Sequence, residues 1–447
     1  MPPVDAAPLL LVAFLGVALV VVLITWLRVP AFIALAAGSF AVGLGARMPL
    51  TDIPRAFQQG VGDTLGFIAM IVGLGTVIGK LLAESGGALV VSRVLVSALG
   101  TSRLDWAMVL SGFLIGLPVF FQVGLVLLAP VLFTTIRHTG TSVLRLGIPL
   151  IAGLSVAHGF VPPHPGPLAV IERLGADTGR ALFFSIVVGL PVALLSGPFL
   201  GRAVSRRIAI PPGAVAEQLS GEVAAARQPA LGVTLLTILL PVLLMLVAAL
   251  AQAMLADGPL RQWIAFAGSP LVAMLLAALL ALYTFGTACG FERRRLLQFA
   301  EESLPSIASV LLVVGAGGGF GRVLDAAGVD TAIAQAMGGM QLSPLVLGWA
   351  VAAVLRLSVG SATVAAVTAA SIMAPIAAAG AVVDKDLLVV AIGAGSLIAS
   401  HVNDGGFWLV KEYFGMTVAQ TVATWTVLET IVSVLGLAGV LALALVL

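Results

Sequence analysis

Gly75-Thr-Val-Ile-Gly79-Lys80-Leu-Leu82 is matched 242 residues later (317 − 75) by Gly317-Gly-Gly-Phe-Gly321-Arg322-Val-Leu324. Each segment sets two glycines four residues apart, then a basic residue, then a leucine two positions further on, inside a long apolar run. The surroundings keep step: Gly153 is matched by Gly395 at the same shift, and His158 by His401 at 243 (401 − 158). Arg202–Gln228, the most polar interior stretch, lies between the halves and carries four arginines and Pro211-Pro212. This ordered set of matches reads as an internal repeat, with residues 1–203 as the first unit, 204–230 as a linker and 231–447 as the second unit.

Hydrophobic residues make up 60% of the 447 and charged residues 9%, whereas soluble domains carry about 25% charged residues. Apolar runs long enough to cross a ~30 Å hydrocarbon core recur along the whole chain, so lipid is its solvent and its structure is helical. A net charge of +2 does not suggest nucleic acid, and the lone Cys289 supports neither a disulfide framework nor a cysteine metal site. Leu9–Leu27 lacks a basic flank and is long for a signal peptide's apolar region, so it reads as a retained first span.

The other candidate spans are Ala31–Leu44, Gly60–Leu82, Leu146–Ala157, Ala181–Gly201, Leu231–Leu255, Pro270–Ala288, Ser306–Val323, Leu388–Val402 and Val418–Leu447. Trp106–Ile136 and Pro344–Ala379 run past a single span, with central breaks at Pro118 and at Ser358–Ser361. Each fits one long tilted helix or a helix–turn–helix entering and leaving on one side, and the central break favours the hairpin. Arginine and lysine collect on cytoplasmic loops. Placing Arg202, Arg206, Arg207 and Arg227 inside puts Arg293–Arg295 inside too, and the N-terminus outside. The second half then starts on the opposite face from the first, as in inverted-repeat carriers. The expected fold is an all-α polytopic membrane protein: an inverted-repeat secondary transporter with about ten spanning helices and two re-entrant hairpins, some helices broken at the midplane.

Carriers of this kind bind substrate where helices are interrupted. Four interruptions stand out: Gly116–Gln122, His158–Pro167, Arg356–Thr363 and His401–Gly406. Four prolines in the second interruption stop a helix there, with His158 and His164 at its edges. Asp404 precedes a Gly405-Gly406 pair that allows close backbone approach, and Asn403 precedes Asp404. Intramembrane ionisable groups are functional candidates, which makes Asp404 the first choice for proton coupling, ahead of His158, His164 and His401. A structural reading of Asp404 as a turn cap stands beside this one. Arg356 suits bidentate contact with a carboxylate, with Ser358, Gly360, Ser361 and Thr363 beside it; snorkelling to an interface is the other reading of Arg356. Phe121 and Gln122 form the equivalent tip in the first half. Gly315–Gly321 follows no strand, so it reads as close helix packing. Gly60-Val-Gly-Asp63 matches an intramembrane aspartyl protease pattern, but no Tyr-Asp partner follows it anywhere in the chain, so the chain reads as no enzyme.

Arg356-Leu-Ser-Val-Gly-Ser-Ala-Thr-Val-Ala365, Ser400-His-Val-Asn-Asp-Gly-Gly-Phe-Trp408 and His158-Gly-Phe-Val-Pro-Pro-His-Pro-Gly-Pro167 resemble signature segments of the gluconate:proton symporter (gluconate permease) family. The resemblance extends over essentially the whole chain. It implies a bacterial inner-membrane symporter for gluconate or a related hydroxy acid, with D-serine and other small acids also handled in the family, and the charge count over the loops sets its termini in the periplasm. It further implies a proton as coupling ion with no other cofactor, elevator-like movement, and a homodimer. The hairpin tips around Pro118–Gln122 and Ser358–Thr363 and the loops His158–Pro165 and His401–Gly405 would form the site.

Overall fold

Every apolar run singled out by hydropathy is helical over at least half of its length, and the described residues contain no strand. The computed structural model describes residues 6–210, 227–329, 332, 343–378 and 384–447. The first half comprises α1 (Ala6–Thr25), α2 (Ala31–Gly45), α3 (Asp52–Glu84), α4 (Gly87–Leu99), α5 (Leu104–Gly116), α6 (Phe121–Thr139), α7 (Val143–Phe160), α8 (Pro165–Leu174) and α9 (Thr178–Ser205). The second comprises α10 (Leu231–Met254), α11 (Pro259–Ala267), α12 (Pro270–Cys289), α13 (Arg293–Ser303), α14 (Pro305–Ala326), α15 (Pro344–Val359), α16 (Ala362–Ala378), α17 (Lys385–Gly395), α18 (Gly405–Phe414) and α19 (Val418–Ala444). Among the described residues, nine helical segments are long and apolar enough to cross a bilayer, and α4 with the helix after it, bent by 109°, makes a tenth. Large apolar side chains such as Phe14, Phe183, Leu236 and Leu279 stay on the outside, as a lipid solvent allows.

The repeat is visible in the element boundaries. α3 starts at 52 and α13 at 293 (293 − 52 = 241); α3 ends at 84 and α14 at 326 (326 − 84 = 242). The first copy is continuous, whereas Pro305 at the start of α14 divides the second. Further on, α8 and α18 start 240 apart (405 − 165), and each ends on a left-handed glycine, Gly175 and Gly415. The counterpart of α4 falls near 329–341, mostly outside the described residues. α3 and α14 pack so closely that a Cβ on Gly60 would stand 2.4 Å from the Gly318 carbonyl oxygen. Small-residue packing therefore accounts for the glycine cluster.

Two interruptions differ from their expected form. α7 continues through His158 to Phe160, and α8 starts at Pro165, so the ten-residue break shrinks to Val161–His164. Proline at a first helical position lacks only an N–H that the helix leaves unpaired anyway, so Pro165 and Pro167 begin a helix instead of preventing one. The run Leu388–Val402 is helical only to Gly395, and an irregular turn occupies Ser396–Asp404. At the 240 shift the residue preceding each ten-residue helix is His164 in one half and Asp404 in the other. The structural repeat therefore pairs His164 with Asp404, and His158, on a helix, has no counterpart in His401, in a turn.

Candidate substrate site between the hairpin tips

The turns of both hairpins, α5–α6 and α15–α16, reach one cavity of about 180 Å³. A single water needs only ~10–15 Å³ on that scale, so the space suits a small organic molecule. Phe120, Phe121 and Gln122 enter it from the first hairpin, and Ser361, Ala362, Thr363 and Val364 from the second. Ser155 and His158 of α7, Ser309, Val310 and Val313 of α14, and Trp425 and Glu429 of α19 complete much of the wall with Arg356 and Asp404.

Each hairpin aims a helix N-terminus at the cavity. α6 follows Phe120, whose backbone is extended, and no side chain caps it. α16 begins at Ala362, where the Val364 N–H donates to Ser361 Oγ at 3.4 Å. First-turn N–H groups and the positive ends of two helix dipoles make an environment for an anion.

Arg356 sits one turn before Gly360 and is buried, with only 3% of its side chain exposed. Its Nη2 donates to Asp404 Oδ2 at 2.6 Å, and its Nη1 donates to the Gly360 carbonyl. Its Nε is buried without a partner. Asp404 is fully engaged: Oδ1 accepts from the Gly406 N–H at 3.0 Å, which caps α18, and Oδ2 also accepts from Ser400 Oγ. Trp425 Nε1 donates to Ser400 Oγ at 2.7 Å, and the Trp425 ring packs on Phe121 with centroids 5.1 Å apart. A continuous polar chain thus runs from α15 through the α17–α18 turn to α19, and an aromatic contact carries it to the first hairpin.

A second relationship ties each hairpin to the break of its own half. His164 Nε2 lies 2.6 Å from the carbonyl of Gly116, the last residue of α5. A carbonyl can only accept, so Nε2 carries the hydrogen. Asn403 Nδ2 donates to the Leu357 carbonyl at 3.0 Å near the end of α15. Gly116 and Leu357 are 241 apart (357 − 116) and His164 and Asn403 are 239 apart (403 − 164), so both halves use one device: a side chain from the break satisfies a carbonyl that the hairpin's first helix leaves open.

Of the residues singled out in the sequence, Arg356, Ser361, Thr363, His158, Asp404, Phe121 and Gln122 meet at the cavity. Ser358 turns back to the Val354 carbonyl, and His401 Nδ1 lies 3.0 Å from the Ala399 carbonyl. His164 lines a smaller cavity with Pro118 and Phe120. Gly360, Asn403 and Gly405 shape the turns around the cavity and are not among its lining residues. Ser155, Ser309, Trp425 and Glu429 are additions from the structure. A carboxylate in the otherwise uncharged run Val418–Leu447 was itself a readable signal.

Comparison with known proteins agrees with this architecture. Two solved transporters share the fold: MtrF of Neisseria gonorrhoeae (TM-score 0.64, 14% identity, 88% of this chain and 84% of that one) and YdaH of Alcanivorax borkumensis (0.62, 19%, 98% and 97%). Sequence relatives are nearer. The gluconate permease of Pseudomonas aeruginosa is 47% identical over 443 residues, covering 99% of this chain and 98% of that one. The high-affinity gluconate transporter of Escherichia coli is 42% identical over 441 residues (98% and 100%), and the L-idonate transporter of its Gnt-II system 39% over 438 residues (98% and 99%). With the GntP family permease profile matching residues 8–446 and these relatives covering nearly the whole chain, this chain is a member of the GntP permease family.

Proposed function

We propose that this membrane transporter carries gluconate, or a closely related six-carbon sugar acid, together with a proton. The observation that supports this reading most is the buried Arg356 at a cavity onto which two helix N-termini open. The substrate carboxylate accepts from Arg356 and from the first-turn N–H groups of α16. Thr363, Ser361 and Gln122 offer hydrogen bonds to the polyol. The gluconate and L-idonate relatives share one chemistry, a carboxylate on a hydroxylated chain, and the cavity's mixture of a cation, hydroxyls and an amide suits it. Asp404 holds Arg356 in place, and the ionisable wall, Asp404, His158 and Glu429, provides the proton acceptor. His164 and His401, engaged with backbone carbonyls, position the breaks.

In this reading residues 1–203 and 231–447 are oppositely oriented units joined by the basic linker, in a bacterial inner membrane. Alternating access is elevator-like, the two hairpins and broken helices moving past the α3–α14 pair, in a homodimer. Labelled gluconate uptake, measured in cells lacking their own gluconate transporters, tests the function. Accumulation that unlabelled L-idonate inhibits and a protonophore abolishes is expected. Uptake unaffected by expression of the chain overturns the substrate, and accumulation that survives the protonophore overturns the coupling.

A further inference from the structure

Glu429 is the single ionisable side chain in α19, a helix of 27 residues. It lies four residues after Trp425, on the same helix face, and both line the cavity. The residue is 1% exposed, and its Oε1 is buried without a hydrogen-bond partner. Ser155 of α7 is its hydrogen-bonding neighbour. The charges that bear on it are Arg356 of α15 and Asp404 of the α17–α18 turn, and His158 of α7 borders the same space. α9 and α17, also packed on α19, carry their charged residues at their ends, Arg180, Arg202, Lys385 and Asp386. The repeat makes the carboxylate conspicuous: at the 240 shift the first half has Gly189 (429 − 240), so the scaffold does not require it.

His158 also keeps a buried nitrogen without a partner, Nδ1, but an imidazole that gains a proton becomes a cation, whereas a carboxylate that gains one becomes neutral. Both oxygens of Asp404 are occupied, and its charge is matched by Arg356. Glu429 has an open oxygen and no cation of its own.

We propose that Glu429 is the proton carrier of the transport cycle: its carboxylate takes one proton from water on the side where the cavity opens, the organic anion binds beside the neutral acid, and the proton leaves to water on the opposite side after the anion has gone. The assignment rests on the reading of the cavity as an anion site. An ionised Glu429 would repel the incoming carboxylate across a desolvated space, whereas the neutral acid removes that repulsion and offers an O–H donor. Proton and anion therefore favour each other's binding, and reciprocally. The empty carrier can return after losing both.

The test uses purified full-length protein in liposomes with a trapped pH dye and labelled gluconate. Wild type is expected to take up protons with gluconate and to accumulate it when the outside is acidic. E429Q, a fixed neutral mimic, is expected to exchange internal for external gluconate while its gluconate influx moves no protons and a pH gradient drives no accumulation. Its gluconate binding, read by thermal shift at several pH values, is expected to lose the pH dependence that wild type shows. E429Q that still accumulates gluconate with proton influx overturns the assignment. Wild type that moves gluconate without protons removes the underlying coupling, a result distinguishable because it does not involve the variant. Should E429Q fail to fold, E429D decides the matter: the retracted carboxyl is expected to shift the pH midpoint of gluconate binding, and an unchanged midpoint overturns the role.

Discussion

Gly360 and Asn403 meet backbone to backbone. A Cβ on Gly360 would lie 2.3 Å from the Asn403 carbonyl oxygen, and Gly360 itself has φ +78°. The tip of the second hairpin therefore docks on the α17–α18 turn through a position that only glycine fills without strain. Gly360→Ala meets both the left-handed backbone and the Asn403 carbonyl. We expect it to cost roughly 1–3 kcal/mol of stability from the backbone alone, with transport falling more steeply than stability because Arg356 also donates to the Gly360 carbonyl. Thermal unfolding in detergent beside an uptake assay separates the two effects.

The buried Arg356 and the largely covered Asp404 lie 2.6 Å apart, with 3% and 16% of their side chains exposed. Removing either alone leaves a charge without its partner, so Arg356→Ala and Asp404→Ala are each expected to destabilise by about 3–5 kcal/mol. The double replacement Arg356→Met with Asp404→Leu is expected to cost far less than the sum, because no charge is left stranded, yet to abolish transport. Denaturant unfolding of the three variants measures this, and additive losses would show the two side chains acting independently.

Thr363 lines the cavity at the first turn of α16. If its hydroxyl meets the substrate polyol, Thr363→Val loses one hydrogen bond, about 0.5–1.5 kcal/mol. A rise in the KM for gluconate of roughly two- to tenfold follows, with little change in folding. An unchanged KM would move the polyol elsewhere in the cavity.

At the far end of α3, Lys80 bridges Glu84 at 2.8 Å and Glu302 of α13 at 3.1 Å. The hydrogen bond from Lys80 holds the Glu302 carboxyl below its ordinary value of 4.5. A carboxylate depressed in the folded protein adds stability above its ordinary value and loses that contribution as pH falls through the folded one. Melting temperature between about pH 5 and about pH 3 is therefore expected to fall further in wild type than in Glu302→Gln. Added salt should shrink the difference, since the pair is exposed; equal slopes would mean the bridge contributes nothing.

Much of the architecture was legible because lipid imposes one rule, that apolar runs become helices, and because the Gly75 and Gly317 segments keep their spacing along α3 and α14, where Gly79 packs on Val119 of the first hairpin's turn and Gly317 on Val367 of the second hairpin. The breaks were legible in position but not in extent. Pro165 and Pro167 look like helix breakers in a sequence, and only the direction of the chain tells that they start α8. Arg356 and Asp404 were identifiable separately, while their pairing depends on a turn from Ser396 to Asp404 whose shape no periodicity encodes. Glu429 and Trp425 were overlooked because the run around them scores as uniformly apolar, although a lone carboxylate in such a run carries its own message. Ser155 and Ser309 give no comparable signal, since serine is common in spanning helices and its facing is set by packing.

The central claim is that an organic anion lies between the two hairpin tips with its carboxylate on Arg356. A cryo-EM map of the protein in saturating gluconate tests it most directly. We expect ligand density in the cavity bounded by Phe121, Thr363 and Glu429, its carboxylate within hydrogen-bond reach of Arg356 and the first turn of α16. Density for bound gluconate at any other place, with this cavity holding only water, would contradict the account.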